Sequence, residues 1–182
     1  PAPPEEMNLA IIPHLLPNGT LLAVDRDRDS LELVKRRLAD FEPRVIFRHG
    51  NFRDLPAMLR AEHRTGVDGL LLDVGMSSLH VDQPERGFSF SKEGPLDMRM
   101  DSEQDETAMD LIHGASADEL ARLFGELGEE RYAGRIARRI TDVRRTRPIR
   151  TTTELARVIS EAVPPRARHG RLHPATRVFQ AL

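Results

Sequence analysis

The sequence predicts an α/β fold, with a parallel sheet in the first part of the chain and an all-helical subdomain inserted after it. Three observations carry this. Between residues 20 and 72, short apolar runs alternate with helical periods in the order strand, helix, strand, helix, strand, a spacing that implies parallel pairing through right-handed crossovers. After Asp101 only helical patterns remain. Between the two lies LLLDVGMSSLHVDQPERGFSFSKEGPLDMRMD, residues 70–101, which begins as a buried strand and continues as a loop. Loops longer than about a dozen residues are as a rule functional or disordered. This one carries Phe88, Phe90, Leu96, Met98 and Met100, which a disordered segment would lack, so it reads as an ordered, site-building loop.

Each element has a local cause. Residues 5–16 show helical spacing at Met7, Ile11, Ile12 and Leu15, and Pro17-Asn18-Gly19 closes them as a turn. Residues 20–24 form a short buried strand ending at Asp25. Asp27 and Ser30 offer capping oxygens to the next helix, whose apolar positions Leu31, Val34, Leu38 and Phe41 recur three and four apart. Val45, Ile46 and Phe47 make the second strand, with His49-Gly50-Asn51-Phe52 as its exit. Pro56 opens a helix to about residue 64, and residues 67–72 are the third strand, delivering Asp73 to the sheet edge.

Further on, Ser116-Ala117-Asp118-Glu119 and Thr151-Thr152-Thr153-Glu154 both match the capping box. They start helices over 117–127 and 152–163. Residues 130–145 form a basic helix with Ile136 and Ile140 inward, stopped before Pro148; 164–170 is a loop and 174–182 begins one more helix. The chain therefore divides into 1–105, a helical insertion over 106–172, and a return at 173–182.

With 182 residues and 39% hydrophobic content the chain buries a real core. The absence of cysteine excludes a disulfide frame and a thiolate metal site. His113, His169 and His173 have no metal-like spacing, so no bound cation is expected. No apolar run approaches the roughly 20 residues of a membrane helix, and PAPPEEMN is no signal peptide. The expectation is a soluble cytoplasmic protein without a membrane partner.

The net charge of −2 conceals an asymmetry: residues 131–182 hold 13 arginines against 3 acids, while residues 1–130 are strongly acidic. Arginine forks suit phosphates and stack on bases, which points to a nucleic acid. The plain alternative is a solvated helix face in a chain that uses arginine almost everywhere, with Lys35 and Lys92 its only lysines.

In a doubly wound sheet, ligands sit beyond the carboxyl ends of the strands. Three such ends are visible. Asp25 can accept hydrogen bonds from both ribose hydroxyls, or serve as a helix cap in AVDRDRDS. Asn51-Phe52 offers an amide and a ring to flank a purine, and Asp73 is the third polar exit. Together they describe a nucleoside cofactor. The GxGxxG fingerprint of the dinucleotide fold is absent, which argues against a nicotinamide cofactor. The chain opens in what reads as the helix that follows such a loop.

DVGMSS, DQPERGFSF, GPLDMRMD, GEERYAGRIARRI, TTTELA and HPATRVFQAL, in this order, resemble the bacterial small-subunit ribosomal RNA cytosine-N4 methyltransferases, the MraW or RsmH family. The resemblance runs from about residue 15 to residue 182. It implies a Rossmann-like class I methyltransferase sheet with an inserted all-helical subdomain, S-adenosylmethionine as methyl donor, and a cytidine of 16S ribosomal RNA at the decoding centre of the small ribosomal subunit as substrate. Members begin with a strand and a glycine-rich cofactor loop and continue past the FQAL segment with further strands, so both are expected to be missing from these residues.

Residue by residue, the resemblance implies Asp25 as the ribose-binding acid, Phe52 as the aromatic beside adenine, and Asp73 as a cofactor-contacting acid. His80 stands where many members carry Gln. Many amino methyltransferases place an Asp/Asn-Pro-Pro-aromatic motif at this strand end; here DVGMSS takes its place, which makes Asp73 and Ser77 the catalytic candidates. Arg135, Arg138 and Arg139, sharing one helical face, and Arg177 are the expected RNA contacts. Arg86, Arg99, Asp82, Glu85, Asp97 and Asp101 either pair among themselves to hold the loop or touch RNA; Phe88 and Phe90 either pack beneath it or stack on bases. A noncatalytic RNA-binding remnant and a nucleotide-dependent oxidoreductase are the competing readings.

Overall fold

The computed structural model describes residues 4–15, 17–41, 44–73, 75, 76, 78–168 and 170–182. These form two compact units, Pro1–Leu79 with Met100–Glu103, and His80–Arg99 with Gln104–Leu182.

The first unit is built on a parallel pair of strands, β1 (Leu21–Asp25) and β2 (Val45–His49), in register from Leu21 opposite Val45 to Asp25 opposite His49. The helix α1 (Pro4–Ile11) precedes them and α2 (Arg28–Arg37) crosses between them. Asp27 caps α2, accepting the Asp29 N–H at 3.1 Å and the Ser30 hydroxyl at 2.8 Å. Capping oxygens of this kind satisfy the orphan amides of the first turn. Leu31, Val34 and Leu38 turn inward as their spacing predicts, and Val34 and Leu38 join Ile12, Ala23 and Val45 in a small core. The helix expected over 5–16 stops at Ile11 and tightens into a 3-10 turn over Ile12–His14, with Pro13 unable to continue the amide ladder. After β2 comes α3 (Leu55–Ala61), opened by Pro56.

Residues 67–72 do not form the expected third strand. The described sheet has two strands, and Leu70, Leu71 and Leu72 are 61, 60 and 53% exposed. The apolar run has the composition of a central parallel strand, but a strand exists only where a neighbour takes up its backbone hydrogen bonds. Among the described residues this segment has no such neighbour.

The second unit, which begins at His80 within α4 (Ser78–Asp82), is helical: α5 (Ala108–Gly114), α6 (Ala117–Glu126), α7 (Ala133–Arg144), α8 (Thr152–Ala162), α9 (Pro165–Arg168) and α10 (Thr176–Ala181). α6 and α8 start on the two anticipated capping boxes, Ser116 with Glu119 and Thr151 with Glu154. A third box, Thr107 with Asp110, starts α5. Within 164–170, expected as loop, α9 adds one helical turn. Phe124, Leu120, Ile136, Ile140, Leu155 and Ile159 are fully buried where α7 packs against α6 and α8.

The loop before Asp101 joins this helical core. Leu96 is 1% exposed within it, and the Phe90 ring lies 4.9 Å edge-on from Phe179 in α10. Residues 80–99 and the return segment at 173–182 thus share one core with the helices.

Candidate functional site

The carboxyl end of the parallel pair gathers the first two sequence-predicted residues. Asp25 closes β1, and its Oδ1 accepts the Asp27 N–H at 2.8 Å. The helix cap is therefore Asp27, and Asp25 is held over the chain turn that leaves the strand. Its backbone carbonyl accepts the Gly50 N–H at 2.9 Å. Gly50 has φ +150°, and a Cβ there would run into Met58, so only glycine lets the β2 exit bend here. Asn51 then accepts the Arg53 N–H at 3.0 Å, starting a 3-10 turn over Phe52–Asp54. Phe52 stands at its head with 57% of its surface exposed. The acid thus closes the last paired register of the sheet, and the open ring follows at the same end, on the turn that leaves β2.

Two residues not among the sequence-predicted set complete this end. His49 Nε2 lies 3.0 Å from the Arg26 carbonyl oxygen and 3.4 Å from Asp101 Oδ2. Both neighbours are acceptors, so Nε2 carries the proton and donates. Asp101 Oδ1 accepts the Glu103 N–H at 3.0 Å, and Glu103 pairs with Arg28 at 2.9 Å. His49 was visible as part of the strand exit, and Asp101 as one of several loop acids. Nothing in the sequence announced that these two distant residues would meet.

Asp73 lies in the irregular, exposed segment after residue 72. Ser77 lies outside the described residues. His80 belongs to the second unit, 5% exposed, its ring 5.1 Å from Phe88. Asp25 and Phe52 stand at the same end of the parallel pair, whereas among the described residues no strand holds Asp73.

The loop carrying His80 is held by its own charges and by the helices. Arg99 grips Asp97 in a fork, Nε to Oδ1 at 2.9 Å and Nη2 to Oδ2 at 2.8 Å, and reaches the Gln104 carbonyl at 2.6 Å. Arg86 donates to the Arg99 carbonyl at 3.1 Å. Gly87 turns with φ +76°, where a Cβ would strike the Pro95 carbonyl. Of the two readings of these charges, the pairing one describes Asp97 and Arg99, and Phe88 and Phe90 pack beneath the loop.

The hydrogen bonds from the Arg99 guanidinium hold the Asp97 carboxyl below its ordinary value of 3.8, with further help from the Arg99 N–H and the charges of Arg99 and Arg86, against the opposing effect of burial. A depressed folded value stabilises the protein above the ordinary carboxylate pKa and is lost as pH falls through the folded one. Asp97→Asn is therefore expected to lower the melting temperature at pH 7 and to flatten the loss on acidification from pH 5 to below 3.8. Parallel melting curves for variant and parent across that range would contradict this.

The arginines lie where the helical spacing put them. Arg135, Arg138 and Arg139 are exposed on α7 and Arg177 is exposed on α10. Arg139 pairs with Glu161 at 2.8 Å, and Arg177 donates to the Glu129 carbonyl at 2.6 Å. The exposed Arg139–Glu161 pair contributes little stability. Among the described residues, no cluster of three or more His, Asp or Glu side chains could hold a metal ion, and no helix is long and apolar enough to cross a membrane.

Fold and site define a mixed α/β protein whose polar strand exits gather at one end of a parallel pair, followed in sequence by an arginine-bearing helical unit. A family model described as the MraW methylase family matches residues 10–182. The chain is 52% identical over 166 residues to the ribosomal RNA small subunit methyltransferase H of Syntrophotalea carbinolica, covering 91% of this chain and 53% of that protein. It is 46% identical over 173 residues to the protein of the same name from Desulfosudis oleivorans, covering 94% and 55%, and 50% identical over 168 residues to that from Nostoc sp., covering 91% and 52%. The chain belongs to the MraW methylase family. It spans about half the length of the curated relatives it matches.

Proposed function

We propose that this chain carries part of an S-adenosylmethionine-dependent methyltransferase that methylates N4 of a cytidine in small-subunit ribosomal RNA at the decoding centre. The observation that carries the reading is the placement of Asp25 and an open Phe52 ring at the same, carboxyl end of a parallel pair, in a chain of the MraW methylase family. An acid there suits ribose hydroxyls and a ring suits adenine, so the residues present fit the nucleoside half of the cofactor. No residue is assigned to the glycine-loop contacts.

In this reading β1 and β2 are the second and third strands of a Rossmann-like sheet. Residues 67–72 are the fourth, whose neighbour in the doubly wound order 3-2-1-4-5-6 is the first. Residues 1–105 then serve the cofactor, 106–172 form the helical insertion, and 173–182 lead back toward the sheet. A soluble enzyme acting in the cytoplasm on ribosomal RNA follows from it.

S-adenosylmethionine, when bound, supplies an activated sulfonium methyl. The cytosine amine is a poor nucleophile because its lone pair is delocalised into the ring. The protein's task is to hold that amine in line and to offer acceptors to its N–H bonds, so that the lone pair localises during attack. Asp73, together with groups of the 76–78 stretch that includes Ser77, is assigned this acceptor role, and His80 a polar contact to the cofactor.

The test is methyl transfer to small ribosomal subunits by the enzyme at the length of its relatives, followed by nucleoside analysis. N4-methylcytidine is the expected product. Asp73→Asn is expected to lower kcat by two orders of magnitude or more, about 3 kcal/mol of transition-state stabilisation. An Asp73→Asn enzyme that keeps cofactor affinity and turnover would remove Asp73 from the mechanism.

The exposed α7 arginines are assigned to RNA phosphates. Replacing Arg135, Arg138 and Arg139 together by glutamine is expected to weaken RNA binding across sequences and to reduce the slope of log K against log salt by roughly 0.9 per lost contact, up to about 3 in all. An unchanged salt slope would place the RNA elsewhere.

A further inference from the structure

His49 begins a chain of two hydrogen bonds that ends on Asp25, and Asp101 lies beside its ring. Asp101 Oδ2 and the Arg26 carbonyl both face the Nε2–H of His49, at 3.4 and 3.0 Å. The Arg26 carbonyl and the Asp27 N–H are the two ends of a single peptide group, planar and rigid. That same N–H donates to Asp25 Oδ1 at 2.8 Å. One rigid plane therefore couples the imidazole to the carboxylate: His49 fixes its oxygen end, and its nitrogen end fixes the orientation of Asp25. Hydrogen bonds in series polarise one another, which strengthens the final contact.

The acid beside the imidazole sits on a built support. Residues Met100–Glu103 belong to the first unit, while Arg99 before them and Gln104 after them belong to the second. The base of this four-residue tip is closed by the Arg99 guanidinium on the Gln104 carbonyl at 2.6 Å. The tip is shaped by Asp101 Oδ1 on the Glu103 N–H at 3.0 Å and moored by Glu103 on Arg28 at 2.9 Å. Asp101 thus uses one oxygen to form the tip and presents the other to His49.

We infer that Asp101 and His49 are positioning residues that orient Asp25 toward the ribose hydroxyls of the cofactor through the Arg26–Asp27 peptide. This rests on the proposed role of Asp25 and adds to it a device that senses the placement of residues 100–103. Neither residue touches the cofactor. Their effect is confined to what Asp25 recognises.

The experiment uses the full-length enzyme and two probes, S-adenosylhomocysteine and its 2′,3′-dideoxy analogue, with affinities measured by calorimetry. His49→Leu removes the donor. Asp101→Asn keeps the oxygen that shapes the tip and turns an amide donor toward the His49 N–H. Each is expected to weaken S-adenosylhomocysteine by up to about tenfold, the worth of one hydrogen bond, and to leave the dideoxy analogue unchanged. The double variant is expected to lose no more than either single one, and His49→Gln, which restores a donor, to recover most of the loss.

Asp25→Ala separates the relay from the cofactor role beneath it. If that variant binds S-adenosylhomocysteine as the parent does, the cofactor role of Asp25 falls and the relay with it. If Asp25→Ala loses affinity while His49→Leu and Asp101→Asn lose none, or lose it equally for both probes, the relay alone is overturned. Should His49→Leu fail to fold, Asp101→Asn decides the same question by itself.

Discussion

Phe124→Ala is expected to destabilise the protein by about 3–5 kcal/mol, the usual range for truncating a buried aromatic. Phe124 has no exposed surface, and it packs in the helical core with Leu120, Ile136 and Ile140, on helices that this packing joins. The backbone beside it has little room to collapse into the cavity. Its carbonyl already accepts the Glu130 N–H at 3.0 Å, and Glu129 turns with φ +49°. Against a whole-domain stability of about 5–15 kcal/mol, such a loss would lower the melting temperature by about 6–20 °C. Phe124→Leu, which keeps most of the volume, is expected to cost only about 1–1.5 kcal/mol. Urea unfolding followed by circular dichroism checks both, and a loss under about 1 kcal/mol for the alanine variant would show that this core repacks freely.

The second large effect falls on binding. In the proposed function Asp25 receives both ribose hydroxyls, two hydrogen bonds to a charged acceptor worth about 1.5–3 kcal/mol each. Asp25→Ala is therefore expected to reduce S-adenosylmethionine affinity at least about 100-fold. Asp25→Asn keeps an oxygen for the Asp27 N–H, so the turn survives and the loss reports the charge alone; about 10-fold is expected. Thermal melting of the same samples separates a binding defect from a folding one. An alanine variant with parental affinity would dissociate the acid at this strand end from the cofactor.

What the sequence disclosed was local. The cap of α2 by Asp27 and the boxes that open α6 and α8 were readable because each links residues two or three positions apart. The box that opens α5 escaped notice because Asp110 stands where Glu or Gln is usual. The positions of Asp25 and Phe52 at a strand end were readable because a parallel sheet places ligands at its carboxyl ends whatever the ligand is. The 67–72 segment misled for the opposite reason: its apolar run reports how a strand is buried, and its pairing depends on chain elsewhere. Long-range polar contacts were illegible altogether. His49 with Asp101, Arg139 with Glu161 and Arg177 with the Glu129 carbonyl join residues from 22 to 52 positions apart, and no periodicity encodes them.

The stitching of the loop to α8 has a consequence for the order in which the protein is made. The Thr152 N–H bonds the Gly94 carbonyl at 3.0 Å, its hydroxyl bonds the Lys92 carbonyl at 3.2 Å, and Thr153 reaches Glu93 at 3.1 Å. These partners lie 58 to 60 positions further along the chain. At roughly 5–20 residues per second of synthesis, the loop waits about 3–12 s after it is polymerised before its fastenings exist. Throughout that interval Phe90 and Leu96 have no helical core to enter. The nascent chain is most exposed to misassociation then, and the part at risk is the loop that the later helices must fasten.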